Sequence, residues 1–198
     1  MSGIVGSLNT RGSGLINLGS ASDGQLFTGT GAGLPVGFEA AAGGGKVLQV
    51  VSTAKTDTYS STAPTTMTNI TGFNVAITPA ATSSKVLIII SVGYATPIDN
   101  NAWLRLVRGT TAIAVGDARS SRIRMLFKLP RVSVSYGYFN SSFTFLDSPS
   151  SSAEQTYHLQ IGGTGDAAQI YLNRSHTDPD NSEGITGCST ITAIEIGA

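Results

Sequence analysis

The side chains best suited to chemistry in this sequence are basic. Arg105, Arg108, Arg119, Arg122, Arg124, Lys128 and Arg131 place seven of the twelve lysines and arginines within 27 positions, and Asp117 is the only acid among them. A guanidinium offers a planar fork of donors that fits carboxylate and phosphate oxygens in pairs. Two uses are open to such a cluster. It forms a patch that grips phosphate, an acidic glycan or an acidic partner, with Arg119, Arg122, Arg124, Lys128 and Arg131 as the candidate contacts. Alternatively, the arginines pair with acids elsewhere on the fold or across a subunit contact. Interleaved aromatic residues, which would stack on bases, are missing. Twelve acids balance the twelve bases, so no global field draws the chain to nucleic acid or to an anionic membrane.

Other reactive types are few. The two histidines are His158 and His176. Ser175-His176-Thr177-Asp178 holds the letters of a hydrolase triad, but neighbouring loop residues point in different directions, and a triad is assembled from distant segments. His158, between Tyr157 and Leu159, reads as the polar side of a strand. Asp178-Pro179-Asp180-Asn181-Ser182-Glu183 is the best set of oxygen ligands, yet its spacing is not that of an EF-hand loop. A solvated turn is expected there, with no metal site and no cofactor. Gly43-Gly44-Gly45-Lys46-Val47 fails as a phosphate loop at Ala40 and Val47, and Gly29-Thr30-Gly31-Ala32-Gly33 fails the dinucleotide pattern and opens no helix. A glycosidase needs two carboxylates across a cleft; Asp147, Glu154, Asp178, Asp180 and Glu183 all sit in turn-like sequence. No catalytic residue is expected, and the chain is read as a non-enzyme. Cys188 is the only cysteine, so no intrachain disulfide forms, and the thiol is expected to pack as a small side chain.

The elements that carry these residues are extended. Charged residues are 12% of the 198, against roughly a quarter in ordinary domains, while hydrophobic residues reach 40%. Ser, Thr, Gly and Ala fill the gap, as suits faces covered by neighbouring chains. Thirteen of the 24 glycines precede Lys46, and that stretch has only three charges, Arg11, Asp23 and Glu39. Residues 1–45 are therefore expected to form an arm that cannot build its own core. Within it, Leu15-Ile16-Asn17-Leu18 and Gln25-Leu26-Phe27-Thr28 read as two strands of a hairpin around Asp23-Gly24. Leu15, Ile16, Leu18, Leu26 and Phe27 are the candidate attachment or trimerisation residues.

From Lys46 to the end, strand patterns follow one another at turn spacings of 8–12 residues, the pattern of a sandwich or jelly roll. They include Val47–Val51, Met67–Ile77, Trp103–Val107, Val132–Tyr136, Ser142–Leu146, Tyr157–Ile161, Gln169–Leu172 and Ile191–Ile196. Lys85–Tyr94 is an apolar, β-branched run and reads as a strand buried on both faces. No basic and apolar leader opens the chain, and the longest apolar run, Val86–Ile90, is far too short to span a bilayer, so no membrane insertion is expected.

Several segments resemble a domain of phage virion proteins, especially those of aquatic phages. Val47–Val51, Thr65–Gly72 and Ser83–Ile88 are similar to its opening. Phe145-Leu146-Asp147-Ser148-Pro149 is similar to its middle. Ile170–Ser175, Asp178–Asn181 and Ser189–Ile196 are similar to its end. Ser22–Gly33 resembles a hairpin of tail-fibre proteins, with Phe38-Glu39 nearby in place of an adjoining aromatic–Glu pair. The resemblance covers about residues 46–198. It implies an antiparallel jelly roll like the tumour-necrosis-factor and complement globular domains, arranged as a homotrimer, with no catalytic residue. The expected whole is an all-β chain with a Gly-rich arm at 1–45 and a jelly-roll knob at 46–198. It is expected to be made in the host cytoplasm and built into a virion with other virion proteins. A tail or neck fibre whose knob meets host surface glycan is the first reading; a capsid decoration trimer clamped by its arm is the alternative.

Overall fold

The computed structural model describes residues 25–29, 36–40, 47–62, 66–96, 101–130, 136–164 and 169–197. No helix occurs among them. The chain divides into two compact units, Met1–Gly44 and Gly45–Ala198.

In the first unit, strands β1 (Gln25–Gly29) and β2 (Val36–Ala40) pair antiparallel, with Phe27 opposite Phe38. The strand expected at Gln25–Thr28 is therefore present, but its observed partner follows it in sequence. Leu15, Ile16 and Leu18 lie outside the described residues, as does the Asp23-Gly24 turn. Six residues, among them Gly31, Gly33 and Pro35, lie between β1 and β2 in sequence.

The second unit is an antiparallel sandwich of jelly-roll type. Its strands are β3 (Val47–Lys55), β4 (Tyr59–Thr62), β5 (Thr68–Ile77), β6 (Lys85–Ala95), β7 (Asn101–Arg108), β8 (Thr111–Ile113), β9 (Phe127–Leu129), β10 (Phe139–Asp147), β11 (Gln155–Thr164), β12 (Gln169–Leu172) and β13 (Ser189–Ile196). One sheet has β6 at its centre. β10 runs along one side of β6; β13 and then β12 run along the other, with β3 beyond β13 and β4 beyond β12. The second sheet orders β5, β11 and β7, and β8 and β9 share the far edge of β7. The expected strand at Val132–Tyr136 falls outside the described residues up to Ser135, and Tyr136 stands in a turn.

The period-two alternation decides which side chains meet. Val86, Ile88, Ile90, Val92 and Tyr94 of β6 point inward with Ile191 and Ala193 of β13. Against them lie Phe73, Val75 and Ile77 of β5, Leu104 and Leu106 of β7, and Tyr157, Leu159 and Ile161 of β11. Each such burial contributes about 1.5–3 kcal/mol. On β5 the alternation slips between Ile70 and Phe73, where the pairing with β11 is irregular and Gly72 takes a φ of +72°. That left-handed step returns Phe73 to the core, and glycine takes it without strain.

Polar contacts close the sandwich. Asp147, at the end of β10, is buried; its Oδ2 accepts from Arg108 Nη1 at 2.6 Å and from the Tyr157 hydroxyl at 2.8 Å. These partners belong to the opposite sheet, so the carboxylate bridges the two layers. Burial, and then the bond to Asp147, push the Tyr157 phenol well above its ordinary pKa. Near the opposite end of the six-stranded sheet, buried Asn173 takes a φ of 58°, which asparagine tolerates. Its Nδ2 donates to the carbonyls of Lys55 and Asp57, and its Oδ1 accepts from Ser189 Oγ.

Candidate functional site: an uncharged sheet face and an arginine loop

Only one face of the six-stranded sheet is needed for the core. On β6, Leu87 is half-buried and Ile89 is 38% exposed, where the apolar run suggested burial on both faces. The reason is architectural. The sandwich has two layers, and among the described residues no third element covers the outer side of β6.

Register builds this outer face row by row. Val50 of β3 stands opposite Ile194 of β13, Ile194 opposite Leu87 of β6, and Leu87 opposite Leu146 of β10. The next row is Ser52, Thr192, Ile89 and Thr144, and the one after is Ala54, Thr190, Ser91 and Ser142. Ser52 and Thr192 share a hydroxyl hydrogen bond of 2.8 Å. No charged residue occurs in these three rows. Val50 is 58% exposed and Leu146 46%; beyond this row Val47 stands opposite Ile196 and Ile196 opposite Lys85, and Val47 and Leu48 are 63% and 47% exposed. With strands about 4.8 Å apart and rows about 6.7 Å apart, the face covers roughly 390 Å². That area, hydroxyl rows included, lies within the size range of the largest patch on a typical monomer, which is often functional. At its far end the Tyr138 hydroxyl lies directly over Gly93 and Gly187, where no Cβ would fit.

Sequence reasoning missed this face, although its signal was present. Alternate residues of β3, β6, β10 and β13 are apolar or hydroxyl-bearing and never ionisable in these rows. The residues chosen instead as attachment candidates lie in the first unit. Leu26 and Phe27 sit on β1 opposite Glu39 and Phe38, and nothing further is described for their side chains.

The basic cluster divides. Arg108 is spent on Asp147, and Arg105 donates to Gln160 Oε1 through Nε at 3.1 Å and through its Nη2 amino group at 2.5 Å. Gln160 in turn donates to Asn69 Oδ1, so three polar side chains cross the outer face of the second sheet. Lys128 is exposed on β9, and Arg131 lies outside the described residues. Arg119, Arg122 and Arg124 are exposed on the connection from β8 to β9. Among the described residues the ion pairs are Lys55–Asp57, Arg108–Asp147 and Arg174–Asp178, and none involves these three arginines.

The remaining candidates are brought together differently from their sequence order. Ser175 is buried and its hydroxyl donates to the Thr177 carbonyl at 2.6 Å, while His176 packs on Tyr171 with ring centroids 5.5 Å apart. The Arg174 guanidinium lies 4.6 Å from the same Tyr171 ring. In the 178–183 loop, Asp178 pairs with Arg174 at 3.4 Å, and Asn181 Oδ1 accepts the Glu183 backbone N–H. Among the described residues, no three His, Cys, Asp or Glu side chains gather to hold a metal. His158 faces outward opposite Asn74, and burial lowers its pKa. Asp147 is not in a turn but in the core, because β10 runs one strand residue further than its apolar pattern. Cys188 is exposed rather than packed: it precedes β13, and the inward positions begin at Ser189.

No family model and no curated protein matches the chain. Among solved structures it is similar to that of infectious bursal disease virus, Gx strain, with 13% identity and a TM-score of 0.35 over 85% of this chain and 43% of that one. It is likewise similar to the infectious bursal disease virus VP2 subviral particle, with 12% identity and a TM-score of 0.32 over 87% of this chain and 44% of that one. The chain thus spans less than half the length of either.

Proposed function

We propose that this chain is a structural, non-enzymatic subunit of a tailed-phage virion, assembled as a homotrimer through the outer face of its six-stranded sheet. The row Val50–Ile194–Leu87–Leu146 carries the proposal. It is apolar, it lies among hydroxyl-bearing and small residues, and it is free of charge, so a neighbouring copy of the chain can cover it without leaving unpaired ions. The edge strands add a second reason. β3 is nine residues long, has one partner strand, and exposes Val47, Leu48 and Val50. An apolar edge of that length invites further pairing unless a neighbour covers it. The occupant is a second and third copy of this chain.

In this reading the knob is a tail or neck fibre head, and the first unit joins it to other virion proteins. The resemblance in sequence to phage virion proteins supports the setting, and the arginine loop supports an outward contact surface. Labelling purified particles with an antibody to the knob tests the assignment. A fibre head gives a few to tens of copies at the tail or neck. Hundreds of copies over the shell would move the protein to capsid decoration, and absence from purified particles would overturn the virion assignment.

A further inference from the structure

We propose that the loop from Ala114 to Met125 is the contact site of the knob for an anionic polysaccharide; the proposal rests on the outward-facing role assigned above. Arg119, Arg122 and Arg124 are all exposed, and among the described residues no carboxylate lies within ion-pair distance of any of them. Asp117 is the one acid on the loop and is also exposed.

The loop is built rather than slack. The Arg122 N–H donates to the Arg119 carbonyl at 3.2 Å, so residues 119–122 form a tight turn that brings the two arginine backbones together. Its second residue, Ser120, has a φ of 51°, and Ala114 at the base has a φ of 53°. Neither is glycine, and such left-handed residues persist only where the surroundings hold them, often at ligand contacts. Arg124 Nε donates to the Gly116 carbonyl at 2.6 Å, which ties the two arms of the loop, and among the described residues its two terminal amino groups meet no hydrogen-bond acceptor. At the root, the Leu126 N–H donates to the Leu104 carbonyl at 2.8 Å and anchors the loop to β7. Three charged forks are thereby presented from one short, braced segment of the second sheet, while the uncharged face belongs to the other.

The chemistry selects the ligand class. Forked guanidinium donors match sulfate, phosphate or carboxylate groups, and Ser120 and Ser121 add hydroxyls suited to sugar oxygens. No aromatic residue on the loop offers a stacking platform for bases, and the zero net charge supplies no field for duplex nucleic acid. A protein partner would need an aromatic or apolar anchor to bury, and the one large apolar side chain that the loop exposes is Ile123.

The full chain is applied to immobilised dextran sulfate, to polygalacturonate and to neutral dextran, and eluted with salt. We expect retention on at least one anionic matrix and none on neutral dextran. The variant Arg119→Ser/Arg122→Ser/Arg124→Ser should bind about tenfold or more weakly, and the triple Arg→Lys variant should fall between. Unchanged melting and sedimentation of the variants exclude a folding defect. The proposal is overturned if the Ser variant binds as the parent does, if the parent ignores both anionic matrices, or if duplex DNA of equal charge competes as well as free dextran sulfate. The virion assignment fails separately, by absence of the protein from particles, and incorporation of the Ser variant should be normal.

Discussion

Charging the outer face of the six-stranded sheet separates folding from assembly. Val50 and Leu146 lie on edge strands β3 and β10 at the two ends of one cross-strand row, and they are 58% and 46% exposed. Full burial of such a side chain contributes about 1.5–3 kcal/mol, so covering the remaining half gives about 1 kcal/mol for each. The double variant Val50→Thr/Leu146→Thr should therefore weaken association by about 2 kcal/mol, roughly 30-fold. The variant Val50→Lys/Leu146→Lys should abolish it, because an ammonium buried without a partner in a neutral contact costs several kcal/mol. The isolated fold should hardly notice. Threonine favours strands, lysine is a common guard of sheet edges, and exposed substitutions usually change stability by no more than about 0.5 kcal/mol. Sedimentation equilibrium over a concentration series reads the assembly, and a thermal melt at low concentration reads the fold. Assembly of the lysine variant equal to that of the parent would show that this face is not the contact.

Other sites give sharper tests of the fold. Asp147→Ala should destabilise the knob by about 3–5 kcal/mol in denaturant melts, because it strips Arg108 and Tyr157 of their shared buried acceptor; Asp147→Asn should cost less. Glu195 is buried; burial disfavours its charge, but bonds from Gln49 Nε2 at 2.6 Å and from the Ala80 N–H at 2.7 Å prevail and hold its pKa below the ordinary value. A lowered native pKa means stability that is present above the ordinary glutamate value and lost as pH falls through the native one. The melting temperature of the parent should thus drop in acid more steeply than that of Glu195→Gln. Gly93→Ala should force the Tyr138 ring off the sheet, and the melting temperature should fall, whereas Gly109→Ala, where a Cβ meets nothing within 4 Å, should suffer only from its φ of +56°.

The sequence was most legible where one strand face meets the core. The alternation of Phe73, Val75 and Ile77, and of Tyr157, Leu159 and Ile161, marks β5 and β11 directly, since period two has one physical meaning in a half-buried strand. Short strands escaped. β4 (Tyr59–Thr62) is hydroxyl-rich, and β9 (Phe127–Leu129) is too short for any period; each exists because a neighbour, β12 or β7, supplies its hydrogen bonds. The β6 run misled in an instructive way. Leu87 and Ile89 are as apolar as Val86 and Ile88, and composition alone does not say which of them the fold turns toward its core. Asp147 was unreadable for the converse reason: a carboxylate at a strand end is ordinarily solvated, and only the meeting of β10 with β7 and β11 places Arg108 and Tyr157 around it. In the arginine cluster, charge density was visible, but the division between the two arginines bound to Asp147 and Gln160 and the three that form no ion pair among the described residues depended on which residues face Asp147 and Gln160.

The most direct test of self-assembly is the mass of the full chain in solution. Sedimentation equilibrium or multi-angle light scattering at micromolar concentration should give about three times the 20.3 kDa of one chain. A stable mass of 20.3 kDa across the same range would contradict the account, because the apolar row across β3, β13, β6 and β10 would then face water without a partner chain.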